Sequence, residues 1–198
     1  MTRTSHRLSI AVAVIAWIGL AAQFTLSYET NNDVARTLWV LARYFTILTN
    51  LMVAVTFTWM AVTRRRMRAQ WTAGVTLWIL IVGVVYHTLL ANYDKSGLDF
   101  IADHATHTAV PAFTAIWWVG FARHVRFRWR LAAVWLWWPL FYVIYVIGRG
   151  LSDGIYPYFF IDLSRFSVGT VLVNSIGLCV AFWIAGLVMI AIARLRAS

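Results

Sequence analysis

Charge is scarce in this sequence. Only 12% of the 198 residues are Asp, Glu, Lys or Arg, and just seven of them are acidic. An average soluble domain carries about 25% charged residues, so a water-soluble globular domain of this length is excluded. Cysteine is scarcer still. Cys179 stands alone, which rules out an intramolecular disulfide and a cysteine-based metal cluster and leaves it as a small apolar residue inside a helix. No low-complexity stretch and no inverted repeat is visible, and that argues against the repeat-built secondary transporters. No G-x-S-x-G segment occurs, so the nucleophile elbow of the soluble α/β-hydrolases is missing as well.

What remains is apolar. Hydrophobic residues make up 62% of the chain, and the mean hydropathy is +0.73. A spanning helix needs about 20 mostly apolar residues. Six such runs are found, at about 8–27, 39–62, 71–91, 104–122, 131–148 and 166–192. They predict an all-α, polytopic membrane protein: a single domain, 1–198, of six transmembrane helices with no room for a soluble domain between them. The first run follows Arg3 and Arg7 and is too long for the h-region of about 7–15 residues in a signal peptide, so it reads as a span.

The loops between the runs are of two kinds. Arg64, Arg65, Arg66 and Arg68 fill one, and Arg123, Arg126, Arg128 and Arg130 another, while Arg3, Arg7, Arg194 and Arg196 flank the ends. Glu29, Asp33, Asp94, Asp99, Asp103, Asp153 and Asp162 all fall on the opposite side of a six-span topology. Basic loops stay in the cytoplasm, so both termini are expected inside, in the inner membrane of a bacterial cell. The net charge of +10 is then a topology signal with attraction to anionic lipid, and nucleic acid is not an expected partner.

Ionisable residues within spans face the bundle interior and are functional candidates. Read as one helix, the second run places Arg43, Thr46 and Asn50 on one face, with Thr46 about 10 Å below the outer end at 1.5 Å per residue. Thr46 could equally bond within its own helix, and Arg43 could snorkel to the surface. The fourth run opens with Asp103, His104 and His107. Asp103 and His107 are i, i+4 neighbours, so the carboxylate can reach that ring and fix its tautomer. Pro111 cannot donate to the His107 carbonyl, which predicts a kink there. Ser167, Thr170, Asn174 and Gly177 form a stripe in the sixth run, and Tyr156, Tyr158, Asp162 and Arg165 lie in the loop before it. A threonine hydroxyl attacks an ester poorly without a neighbouring base. Thr46 with His107, oriented by Asp103, would supply one.

Three segments carry a resemblance. Ala42-Arg43-Tyr44-Phe45-Thr46-Ile47-Leu48-Thr49-Asn50-Leu51 resembles the Lys-Phe-Leu-Thr-Phe segment of the androgen-induced and androgen-dependent TFPI-regulating protein family, whose bacterial relatives are the Pr6Pr family. His104-Ala105-Thr106-His107-Thr108, with Pro111 after it, is similar to that family's His-x-x-His-Thr. Gly154-Ile155-Tyr156-Pro157-Tyr158-Phe159 resembles its Trp-Val-Tyr-Pro-Phe. The three keep the family's order and spacing. The resemblance implies a six-helix intramembrane threonine hydrolase that cleaves fatty acid esters of hydroxy fatty acids, without a cofactor, with Thr46 as nucleophile and His107 as base. Asp103 departs from the animal members, which carry an amide there.

On this reading a lipid or fatty-acid ester is the substrate, bound near the outer face. Asn50, Tyr156 or Tyr158 would serve the oxyanion, Asn174 would support the site, and Arg43 or Arg165 would hold a substrate carboxylate. Two other readings stay open. His87, His104, His107 and Asp103 could form the zinc set of a metal-dependent hydrolase. A non-enzymatic transporter or channel is the other, although every carboxylate is expected at the outer surface rather than in a span core.

Overall fold

A computed structural model describes residues 1–91 and 94–197, and among these the chain is helical with no strand. Nine α-helices follow one another among the described residues: α1 Arg3–Asn31, α2 Val34–Leu41, α3 Phe45–Thr63, α4 Ala69–Val85, α5 Gly97–His104, α6 Val110–Phe121, α7 Leu131–Val134, α8 Trp137–Asp153 and α9 Val168–Arg196. Two π-helical turns are inserted, Tyr86–Leu90 after α4 and Ala105–Ala109 between α5 and α6, and a 3-10 turn covers Phe159–Ile161. Five stretches are long and apolar enough to cross a membrane: Arg3–Asn31, Phe45–Thr63, Ala69–Leu90, Leu131–Asp153 and Val168–Arg196. The helical run 97–121 falls outside this set because Asp99, Asp103, His104, His107 and Pro111 dilute its apolar content.

The chain divides into two compact units, Met1–Arg123 and His124–Ser198. In the first, α1 packs along α3 and against α5 and α6, while α4 packs against α3 and α6. Side-chain bonds show how the helix ends align. His6 Nε2 donates to the Ala61 carbonyl (2.8 Å), Trp117 Nε1 to the Ser5 carbonyl (3.2 Å) and Trp71 Nε1 to Thr56 Oγ1 (3.0 Å). The start of α1, the end of α3, the start of α4 and the end of α6 therefore share one end of this unit. That end carries Arg3, Arg7 and the 64–68 arginines, whereas Glu29, Asp33, Asp99 and Asp103 lie toward the other.

The unit buries small polar residues among its apolar core and exposes large apolar residues on its outside. Ser5, Ser9, Thr49, Asn50, Thr72, Thr76 and Thr114 are buried, while Val14, Ile18, Val55, Val62 and Val84 are exposed. Small polar residues at helix contacts and apolar residues facing outward fit a protein immersed in lipid.

The expected second span is not one helix. The chain leaves the helical path at 42–44, where the amides of Arg43 and Tyr44 bond the carbonyls of Val40 and Leu41 (both 3.1 Å) and Tyr44 is extended (φ −92°, ψ 126°). These i→i+3 bonds close the last turn of α2. Neither Pro nor Gly marks the break. Leu41 and Phe45 on its two sides and Arg43 within it are buried.

The second unit comprises α7, α8, the 3-10 turn and α9, with α7, α8 and the turn all packed on α9. Arg194 anchors its basic end, donating to the Phe127 carbonyl (2.8 Å) and lying over the Trp129 ring at 5.3 Å. Gly150 is required by contact: a Cβ there would overlap the Tyr156 ring. Gly150→Ala is therefore expected to destabilise this unit by about 1–3 kcal/mol through overpacking. Adding Tyr156→Ala should recover most of that loss in thermal unfolding of the detergent-solubilised protein, and an equally unstable double variant would disprove the contact.

Candidate functional site

At Pro111, where a kink is expected, the helix changes its turn. The helix widens to a π turn over Ala105–Ala109, the Val110 amide reaches back five residues to the Ala105 carbonyl, and Pro111 then sits in the first turn of α6. Proline clashes with the carbonyl four residues before it and offers that carbonyl no N–H. A wider turn relieves the clash without breaking the helix. π turns of this kind are found often at functional sites.

Three neighbouring helices clasp the turn. From α1, Gly19 lies so close that a Cβ would sit 2.9 Å from both Ala105 Cβ and Thr106 Cγ2. From α4, a Cβ on Gly83 would be 3.1 Å from the His107 carbonyl oxygen. From α3, Asn50 Nδ2 donates to the Thr106 carbonyl (3.1 Å) and to the Thr46 carbonyl (2.9 Å). One side-chain nitrogen thus joins the first turn of α3, where Thr46 lies, to the π turn that carries His107.

His107 is held on one edge. Its Nδ1 faces the Asp103 carbonyl oxygen (3.1 Å), Asp103 Oδ1 (3.3 Å) and Thr106 Oγ1 (3.2 Å). The Thr106 hydroxyl donates its own proton to the Ala102 carbonyl (2.8 Å), so all three groups accept. Nδ1 must then carry the imidazole proton, leaving a lone pair on Nε2. The side chain keeps 18% of its surface exposed. Asp103, placed at the outer surface by the sequence, is buried with only 4% exposed. Its Oδ1 accepts from Lys95 Nζ (2.7 Å) and its Oδ2 from the Tyr86 hydroxyl (2.6 Å). The Tyr86 ring also stacks on His107, centroids 3.9 Å apart and 17° from parallel.

Other expectations need revision. The break at 42–44 removes Arg43 from the helical face that Thr46 and Asn50 were to share, and Arg43 is buried rather than snorkelling. Asn50 spends both amide hydrogens on carbonyls, so in this arrangement it ties helices together and has none left for an oxyanion. Its Oδ1 is buried without a hydrogen-bond partner among the described residues. Thr46 is half-buried.

In the second unit the Ser167–Thr170 stripe is a helix cap, Ser167 Oγ accepting from the Thr170 amide (3.2 Å). Asn174 Nδ2 donates to the Phe160 carbonyl (2.9 Å) and pins the 3-10 turn to α9. Tyr158 stacks on Phe160 at 5.3 Å. Arg165 is engaged by Asp162 (3.2 Å) with 70% of its side chain exposed. The Ser164 hydroxyl and amide, with Arg165, hold the Asp162 carboxyl below the ordinary carboxylate range.

The proposed zinc ligands do not converge. Among the described residues no three His, Cys, Asp or Glu side chains are grouped to share a metal. His104 instead stacks on Phe100 at 3.8 Å, its Nδ1 3.1 Å from the Phe100 carbonyl, and His87 Nε2 lies 3.0 Å from Thr108 Oγ1. That His87–Thr108 contact, a second pairing of imidazole and threonine hydroxyl, was missed by sequence reasoning. So were Tyr86, on a different helical run from Asp103, and Lys95, which precedes the helix that carries Asp103. Compared with known protein families, with characterised proteins and with solved structures, the chain matches none.

Proposed function

We propose that this chain is a six-helix integral membrane hydrolase of lipid esters, with Thr46 as nucleophile and His107 as general base. The observation that carries the reading is the His107 edge. Acceptors hold its Nδ1–H, its Nε2 lone pair is left open, and Asn50 bridges its turn to that of Thr46. The three segments resembling the androgen-induced family point to the same two residues. Thr46 Oγ would attack the ester carbonyl while Nε2 takes the hydroxyl proton. Nε2 would then pass it to the departing alkoxide, and water activated by the same nitrogen would release the acid from the acyl-threonine. The acyl chain would enter sideways between the apolar helices. The 97–121 helical run, with Asp103 and His107 turned into protein and Asp99 and His104 left more exposed, would complete the six spans.

Labelling with a fluorophosphonate tests the chemistry. The adduct is expected on Thr46 when the labelled peptide is sequenced. An adduct on Thr108, beside His87, would overturn the nucleophile assignment.

Both termini lie in the cytoplasm on this reading, and the site faces the outer side of a bacterial inner membrane. Reporter fusions after Arg66 and Arg126 should read cytoplasmic, and fusions near Lys95 and Ser152 periplasmic. One inverted reading among the four would remove the outward-facing site.

A second reading has one observation in its favour. Lys95, Asp103 and His107 form a chain of protonatable groups about a buried carboxylate, as proton-coupled transporters require. Proton flux into proteoliposomes that stops in Asp103→Asn, with no ester turned over by the wild type, would favour it.

A further inference from the structure

We propose that Lys95 and Tyr86 are positioning residues that keep the Asp103 carboxylate ionised and locked against His107, so that the ring presents Nε2 as proton acceptor. The inference deepens the hydrolase reading, and its kinetic arm rests on it.

Asp103 has donors on both oxygens. Oδ2 takes the Tyr86 hydroxyl at 2.6 Å, and Oδ1 is shared by Lys95 Nζ at 2.7 Å and His107 Nδ1 at 3.3 Å. A carboxylate gripped at both ends cannot rotate away from the imidazole. Tyr86 acts twice, since its hydroxyl fixes the carboxylate while its ring lies flat on the imidazole. It opens the π turn after α4, and His107 sits within the π turn before α6, so each wide turn contributes one of the stacked rings.

Lys95 supplies the charge. A buried carboxylate is tolerated when it is paired and hydrogen-bonded, and the ammonium is its closest cation. Asp99, 3.7 Å from Lys95, His104, 3.9 Å from Asp103 Oδ2, and His87, whose ring centroid lies 5.1 Å from that of Tyr86, are further ionisable groups at hand. Without the ammonium the buried carboxylate loses its counter-charge. The neutral acid that relieves this is an O–H donor. It would reverse the contact at Nδ1, move the imidazole proton to Nε2 and remove the base. Lys95 thus sets the tautomer of a ring that it does not touch.

The test reads the tautomer without needing turnover. In protein labelled with 15N-histidine and held in detergent micelles, His107 (assigned with His107→Gln) should show a protonated Nδ1 and a lone-pair Nε2. Lys95→Met and Tyr86→Phe should shift that balance toward Nε2–H, and Lys95→Arg should restore it. In the kinetic arm Lys95→Met should lower kcat about 10²-fold, the scale of a misplaced catalytic group, with KM little changed. Charge balance makes a sharper demand: in an Asp103→Asn background, Lys95→Met should cost nothing further. A wild-type His107 protonated on Nε2 would overturn the proposal, as would an unchanged tautomer in Lys95→Met or a full Lys95→Met penalty in the Asp103→Asn background. If the tautomers behave as expected while the wild type hydrolyses no ester, the positioning role stands and the hydrolase reading fails.

Discussion

Thr46→Ala is expected to abolish both ester hydrolysis and fluorophosphonate labelling. An acyl-enzyme route has no alternative acceptor once that hydroxyl is gone. His107→Ala should be comparably severe, because an unassisted hydroxyl is a poor nucleophile. Losing one member of such a unit costs roughly 10⁴- to 10⁶-fold in kcat. Thr46→Ser keeps the hydroxyl and should keep part of the rate. A chelator should leave the rate untouched on this mechanism. Under the metal-dependent alternative the pattern inverts: chelation is fatal, His87→Ala and His104→Ala match His107→Ala, and Thr46→Ala is mild. Turnover that survives Thr46→Ala and disappears with chelator would sink the threonine mechanism.

The second large effect is expected far from the chemistry in sequence. Gly19→Val should lower hydrolysis by about 10²-fold or more, the scale of a displacement near 1 Å at a catalytic group. The mechanism is steric. A Cβ at Gly19 already sits 2.9 Å from Ala105 Cβ and Thr106 Cγ2, and the two branches of valine add to the overlap. The π turn must move or α1 must withdraw, and His107 moves with the turn. Overpacking of this kind also costs about 1–3 kcal/mol, so thermal unfolding in detergent should show a lowered Tm. Trimming the partner with Thr106→Ser should recover part of both. A Gly19→Val protein with wild-type turnover would show that the clasp does not position His107.

Length and hydropathy made the apolar helices legible, because a run of about 20 apolar residues has few other uses. The i, i+4 pairing of Asp103 with His107 was legible too, since both fall within one helical turn and the structure brings Nδ1 to 3.3 Å from Oδ1. The break at 42–44 was not, because no Pro or Gly marks it and the periodicity of 39–62 continues across it. Its loss mattered: Arg43, Thr46 and Asn50 share a face only on an unbroken helix. Pro111 was legible as a disturbance, but the π turn that accommodates it was not, since proline chemistry fixes which carbonyl loses its donor but not how the backbone adjusts. Tyr86 and Lys95 lay beyond reach for a different reason. Tyr86 lies on a different helical run from Asp103 and Lys95 lies ahead of the helix that carries Asp103, and helical spacing carries no information about contacts beyond one helix.

The π turn at Ala105–Ala109 also sets the phase of the helix on either side of it. A π turn holds one residue more than an α turn, and each residue of an α-helix advances the side chain by about 100°. The apolar faces of 97–104 and 110–121 therefore cannot be laid on one helical wheel; the second is offset by one position from the first. Removing a single residue between 105 and 109 would restore a common phase with little change in length, yet it would turn His107 relative to Pro111 and the Gly83 contact. Length variation by one residue in this helix thus changes its length little and is decisive for the direction in which its imidazole points.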